Sequence, residues 1–220
     1  MVVFSYAICV CNESRELYSL IAFLKKVKDT EDEINILVDT AHVSKQVLQV
    51  LDFFKNDIVT YERAFIDGNF SDHRNYHISK CKGDYIFVLD ADEMPQEKLI
   101  KNIKGQLIDD MEIIYIPRIN ILPGSTQDWL NKSAFIVNEA GWINWPDMQS
   151  RIFKNIPSTR YTGNLHEILQ CTGKTCSVQI DPTIALWHIK SIEKQTIRWE
   201  ENGEYSFPKG DNSNLYDTLM

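Results

Sequence analysis

No stretch of the 220 residues approaches the roughly 20 consecutive apolar positions that a membrane-spanning helix needs, so none is expected. The apolar start, Met1 to Cys11, lacks a basic flank and runs straight into Asn12-Glu13-Ser14-Arg15. It reads as a first core strand and not as a secretory signal. Basic charge is in deficit: 23 Lys and Arg against 31 Asp and Glu leave a net charge of -8. An acidic surface disfavours a nucleic-acid backbone and leaves room for a bound divalent cation. The five cysteines are odd in number and irregularly spaced, which argues against a disulfide framework and for reduced thiols in a cytoplasm. Cys171 and Cys176, separated by Thr-Gly-Lys-Thr, do not have a usual zinc-ligand spacing. Internal repeats and low-complexity segments are also lacking. What remains is ordinary globular composition, 44% hydrophobic and 25% charged, with length for one sizeable core.

The first half alternates strand and helix patterns. Strands are expected at Val2 to Val10, Ile34 to Val38, Ile58 to Tyr61 and Tyr85 to Leu89. Helices are expected at Glu13 to Val27, Val43 to Phe54 and Ser71 to Lys80, the last capped by Ser71. A further helix is expected to start at Pro95 and run to about Gln106. This alternation predicts an α/β fold with a mostly parallel central sheet and flanking helices. In such sheets ligands bind beyond the carboxyl ends of the strands, where Asn12, Asp39 and Asp90 all fall. After residue 107 the pattern becomes a smaller mixed β region. Strands are expected at Ile113 to Leu122, Ala134 to Val137, Gln149 to Lys154 and Cys176 to Ile180, with a closing helix at Ile192 to Glu200. Residues 1–107 thus form one half, 108–200 a second half of the same domain, and 201–220 a polar tail.

The strongest local signal is Gly83-Asp84-Tyr85-Ile86-Phe87-Val88-Leu89-Asp90-Ala91-Asp92-Glu93, a buried strand running into three acids. Carboxylates at the end of a core strand are costly unless something positive pairs them. Residues i and i+2 of an extended segment point the same way, so Asp90 and Asp92 face one point across the small Ala91. Hard oxygen ligands so placed suit Mg2+ or Mn2+, whose remaining positions are filled by phosphate oxygens and water. The plainer alternative is that Asp92 or Glu93 caps the helix near Pro95. A phosphatase-type pair, nucleophile plus acid-base, is a third reading that the preceding three strands fit poorly.

Asn69-Phe70-Ser71-Asp72-His73-Arg74-Asn75, then Gly83-Asp84-Tyr85 and Leu89-Asp90-Ala91-Asp92-Glu93, resemble family 2 glycosyltransferases of the GT-A fold. Ile8-Cys9-Val10-Cys11-Asn12-Glu13 is similar to that family's first strand and Ile36-Leu37-Val38-Asp39 to its second. Asp147-Met148-Gln149-Ser150-Arg151-Ile152-Phe153, Gly163-Asn164-Leu165-His166-Glu167 and Trp187-His188-Ile189-Lys190 resemble later signatures. Where the family often has a second Asp and a Gly-Ser after Asp39, this chain has Thr40-Ala41-His42.

The resemblance implies inverting, metal-dependent transfer of a sugar, of the hexosyltransferase kind, from a nucleotide-diphosphate donor to a hydroxyl acceptor. It implies nucleotide binding by Asn12, Glu13, Asp39, Asp67, Arg74 and Asp90, and Mn2+ or Mg2+ held by Asp92 with Asp90 and His188. Glu167, or else Asp147 or Glu139, is the implied general base. Trp142, Trp145 and His166 are candidates for acceptor binding, with core packing the commoner use of Trp. The implied acceptors are glycans of polysaccharide or lipopolysaccharide. A hydroxymethylated DNA base is a further candidate, against which the acidic charge counts. Two other functions stay open: a sugar-nucleotide nucleotidyltransferase, which usually has a Gly-rich loop absent at residues 10–15, and a catalytically inactive sugar- or nucleotide-binding module.

Overall fold

The computed structural model describes residues 2–66, 68–107, 111–133, 135–164, 167–193 and 195. Asp67, His166, the tail and most of the expected closing helix lie outside the described residues. β1 (Phe4–Val10), β2 (Glu33–Asp39), β3 (Val59–Arg63) and β4 (Tyr85–Asp90) alternate with α1 (Ser14–Val27), α2 (Lys45–Phe53) and α3 (Phe70–Ile78). They pair in the order β3-β2-β1-β4, all parallel. β1, β2 and β4 are buried along nearly their whole length, as unbroken apolar runs in a covered parallel sheet should be. α1 turns Leu17, Leu20, Ile21 and Leu24 into the core. Each such buried side chain contributes about 1.5–3 kcal/mol, so this stripe docks the helix.

Gly83 sets how closely β4 can approach β1. A Cβ there would lie 2.6 Å from the Ser5 backbone N and 2.7 Å from the Phe4 carbonyl carbon, so only glycine fits.

The second half continues the same sheet. β5 (Glu93–Pro95) and α4 (Glu97–Ile103) follow the acidic motif, then β6 (Met111–Ile121), α5 (Gln127–Lys132) and β7 (Ile143–Lys154). β8 (Arg160–Thr162), β9 (Ile168–Gln170), β10 (Lys174–Ser177) and β11 (Leu186–Ile189) complete the described strands. β7 runs antiparallel between β4 and β6, β11 lies parallel to β6, and β5 forms the far edge. β10 also pairs with β6, and β8 and β9 make a separate two-stranded sheet. The result is the expected mixed α/β architecture with a mostly parallel sheet and flanking helices.

Several local expectations need correction. α3 begins one residue earlier than expected, and Asn69 caps it by accepting a bond from the Asp72 N–H at 3.0 Å. Ser71 lies inside the helix, and its hydroxyl donates to the Gly163 carbonyl. Pro95 ends an edge strand instead of starting a helix, a position that spares a residue without an N–H. Among the described residues the segment expected as a strand at Ala134 to Val137 makes only a bridge from Val137 to Ile143, and β7 starts six residues before Gln149. The hairpin β8–β9 and the strand at β11 were not anticipated. All five cysteines are unpaired thiols.

Candidate active site

Pairing register brings the polar residues together. Cys9 of β1 is opposite Asp90 of β4, Arg118 of β6 is opposite Asp147 of β7, and His188 of β11 lies between Asn120 of β6 and Glu93 of β5. These positions cluster near the carboxyl end of β4, where the parallel half of the sheet meets the antiparallel half.

The acids and arginines alternate. Asp90 Oδ1 accepts from Arg74 Nη2 at 3.0 Å and its Oδ2 from Arg151 Nη2 at 2.6 Å. Burial works against ionisation of Asp90, but Arg151 and Arg74 outweigh it and hold the carboxyl well below the usual range. Arg151 also donates to Glu93 Oε1, which accepts from Arg118 Nη1 at 2.9 Å as well. Arg118 grips Asp147 Oδ2 through Nε at 2.9 Å and Nη2 at 2.7 Å. At the other end of the chain Arg74 Nε donates to Glu167 Oε1. Every guanidinium is thus shared between two carboxylates, the arrangement that makes buried charge tolerable.

This corrects the sequence reading of Asp90. Both of its oxygens are occupied by guanidinium groups, so it is an anchor of Arg74 and Arg151 and a poor direct ligand for a metal. Arg74 does not pair with Asp72 or Asp84. Arg63 takes Asp72, and Asp84 accepts from the Val3 N–H at 2.9 Å. Asp147 is likewise spent. Its oxygens accept from Arg118, from Asn120 Nδ2 at 2.8 Å and from Gln149 Nε2 at 2.6 Å. Burial raises its pKa, but Arg118 and these donors bring it below the ordinary value, which suits a brace better than a general base. Glu167 keeps an opening: Oε1 faces Arg74, and no described residue hydrogen-bonds Oε2. Glu139 is exposed, outside the network.

Asp92 faces the histidine of β11. Its Oδ2 is 3.7 Å from His188 Nε2, too long for a hydrogen bond. Asn120 fixes the histidine. Its Nδ2 is committed to the acceptor-only Asp147, so its Oδ1 must take the proton of His188 Nδ1, 2.8 Å away. In the neutral ring Nε2 then carries a lone pair toward Asp92. Burial raises the Asp92 pKa, but a proton on His188 Nε2 and the charge of Lys190 more than offset that and lower it; without that proton the same nitrogen offers its lone pair to a cation. An ionised carboxylate and an imidazole nitrogen facing each other fit a divalent cation. Among the described residues no group of three His, Cys, Asp or Glu side chains could hold one alone, and a cation held by this pair would take its other positions from phosphate and water.

The remaining expected residues divide. Glu13 Oε2 accepts from the backbone N–H groups of Asn12 at 3.0 Å and Cys11 at 3.3 Å, stiffening the turn from β1 into α1. Asn12 is exposed beside it. Asp39 is buried at the end of β2, with Oδ1 accepting from the N–H of Phe65 at 2.9 Å and of Ala41 at 3.0 Å. Trp142 and Trp145 pack edge to face, 5.1 Å between centroids, both half-buried. Ile143 and Asn144 between them line a cavity of about 190 Å3 whose wall also includes Asn120, Asp147, His188 and Lys190. Arg118, Asn120 and Lys190 were missed in the sequence, and Glu93, read as a helix cap, is the fully buried hub of the network. Polar side chains at Arg118 and Asn120, in the run that is apolar from Ile113 to Pro117, were the available signal.

Among the described residues no helix is long and apolar enough to cross a membrane. The sequence pattern of the family described as "Glycosyl transferase family 2" matches residues 5–174. No curated protein matches the chain by sequence. Among solved structures, S. aureus TarS 1-349 is 14% identical with a TM-score of 0.59, covering 84% of this chain and 60% of that one. The same fragment in complex with UDP-GlcNAc is 15% identical, TM-score 0.59, covering 85% and 58%. Its complex with UDP is 13% identical, TM-score 0.59, covering 90% and 63%. The chain therefore spans less than two thirds of the length of these structures.

Proposed function

The chain belongs to glycosyl transferase family 2 and is a glycosyltransferase, and from that membership we propose an inverting, metal-dependent transfer from a nucleoside-diphosphate sugar to a hydroxyl acceptor. The observation that carries the metal dependence is the Asp92–His188 pair, two lone-pair donors aimed at each other with Asn120 fixing the ring. A bound Mn2+ or Mg2+ supplies Lewis-acid charge for the leaving diphosphate. That the TarS structures hold UDP and UDP-GlcNAc supports a nucleoside-diphosphate donor here.

In this reading residues 1–107 hold the nucleotide over the carboxyl ends of β1 and β2. Residues 108–200 supply the acceptor side, with the cavity by Asn144 and His188 receiving an acceptor ring and the Trp142–Trp145 pair beside it. Arg74 and Arg151 keep positive charge near the diphosphate while Asp90 and Glu93 hold them in place. Glu167 Oε2 accepts the proton of the acceptor hydroxyl as it attacks the anomeric carbon, which passes through an oxocarbenium-like state. The nucleotidyltransferase alternative gains nothing from this geometry.

The test is a thermal-shift screen of nucleotide sugars with and without Mn2+. A ligand at about 100 times its Kd stabilises the fold by about 2.7 kcal/mol, a rise of roughly 5–10 °C for a chain of this size. If no nucleotide shifts the transition in the presence of either ion, the proposal fails. The base assignment has its own check. Glu167→Gln is expected to bind donor as the wild type does and to turn over at least about a hundredfold more slowly. Turnover within a few-fold of wild type removes Glu167 from that role.

A further inference from the structure

The Asp39 carboxylate, one of the residues that the resemblance implies in nucleotide binding, is already engaged. While Oδ1 takes two backbone N–H groups, Oδ2 lies 2.6 Å from His42 Nδ1. Burial opposes ionisation of Asp39, yet the Phe65 N–H, His42 and the Ala41 N–H outweigh it, and the carboxyl stays ionised at neutral pH. An ionised carboxylate only accepts, so His42 Nδ1 must carry the proton. In the neutral ring Nε2 is then an acceptor, on a side chain 60% exposed to solvent. The loop bearing His42 is pinned to the end of β1 by the Ser44 N–H donating to the Cys11 carbonyl at 2.8 Å. Beside it, following β3, Phe65 and Phe70 stand 4.6 Å apart between centroids, an aromatic pair of the kind on which nucleobases stack.

We propose that His42, and not Asp39, reads the donor's base: Nε2 accepts a ring N–H of a uracil- or guanine-type base, while Asp39 holds the imidazole in that tautomer. The inference rests on the nucleotide-sugar reading above. It names a class of donor, since a base with a bare ring nitrogen on its pairing edge, such as cytosine, sets acceptor against acceptor. The imidazole moves the acceptor outward from the buried carboxylate by the width of a ring. Recognition then sits at the rim of the site.

The experiment is calorimetric titration of UDP and CDP, each with Mn2+ at pH 8.5, into wild type and His42→Ala. Wild type is expected to bind UDP at least tenfold tighter than CDP. His42→Ala is expected to lose about tenfold for UDP and to lose the preference between the two. Unchanged or tighter UDP binding by His42→Ala overturns the inference, because the base then reaches Asp39 directly. Equal binding of UDP and CDP by wild type overturns it too, without reference to any variant. If wild type binds neither these two nor GDP under the same conditions, the nucleotide-sugar reading itself falls and the inference with it. Binding of UDP by wild type with no effect at His42 sinks the inference alone.

Discussion

Asp92→Ala is expected to abolish the joint stabilisation of the protein by Mn2+ and a nucleoside diphosphate. Removing a residue that only supports a metal ligand costs about 10–100-fold in metal affinity, so removing a ligand should cost at least the upper figure. At a ligand concentration of about 100 times the wild-type Kd, a hundredfold loss cuts the stabilisation from about 2.7 to about 0.4 kcal/mol. The melting shift then shrinks from roughly 5–10 °C to about 1 °C. The fold should survive, because the Asp92 side chain is 18% exposed and water can replace what the carboxylate holds. Sugar transfer should fall about a thousandfold, equivalent to roughly 4 kcal/mol of lost transition-state stabilisation. A variant that keeps the full Mn2+-dependent shift removes Asp92 from the metal site.

Glu93→Ala is expected to act on stability instead. The Glu93 side chain has no solvent exposure and accepts from both Arg118 and Arg151, which are themselves 17% and 8% exposed. Taking away the carboxylate leaves two guanidinium groups short of their counter-charge inside the sheet. Breaking a buried ion pair from one side costs about 3–5 kcal/mol. With a urea m-value of about 1–3 kcal/mol/M, the unfolding midpoint falls by about 1 M or more. A loss below about 1 kcal/mol would mean that water or neighbouring acids already satisfy the arginines. Replacing Asp90 instead should cost less, since its side chain is 33% exposed and solvent can reach the guanidiniums there.

The parallel half of the fold was legible because its signals are local. A strand covered on both faces must be apolar throughout, and α1 must repeat its leucines every three or four residues. The acids at the tip of β4 were legible for the same reason, as charge where a buried run ends. Their partners were not. Arg74, Arg118 and Arg151 reach Asp90 and Glu93 across 16, 25 and about 60 positions of chain, and only strand order decides which guanidinium meets which carboxylate. The i and i+2 rule put Asp90 and Asp92 near one another but could not say that arginines would claim the first. Pro95 was misplaced because the same residue suits a helix start and an edge strand, and the sequence does not reveal where the sheet ends.

The sharing of each arginine between two acids constrains how this site can be altered. A single exchange within the chain of charges strands a neighbour, so tolerated changes there should come as matched sets that swap sign or remove both partners at once. Rim positions such as His42 and Asn144 lie outside that network and each hold a single residue, Asp39 and Ile136. Engineering a new donor or acceptor preference should therefore start from the periphery, where one codon can change at a time, and leave the ionic lattice beneath it untouched.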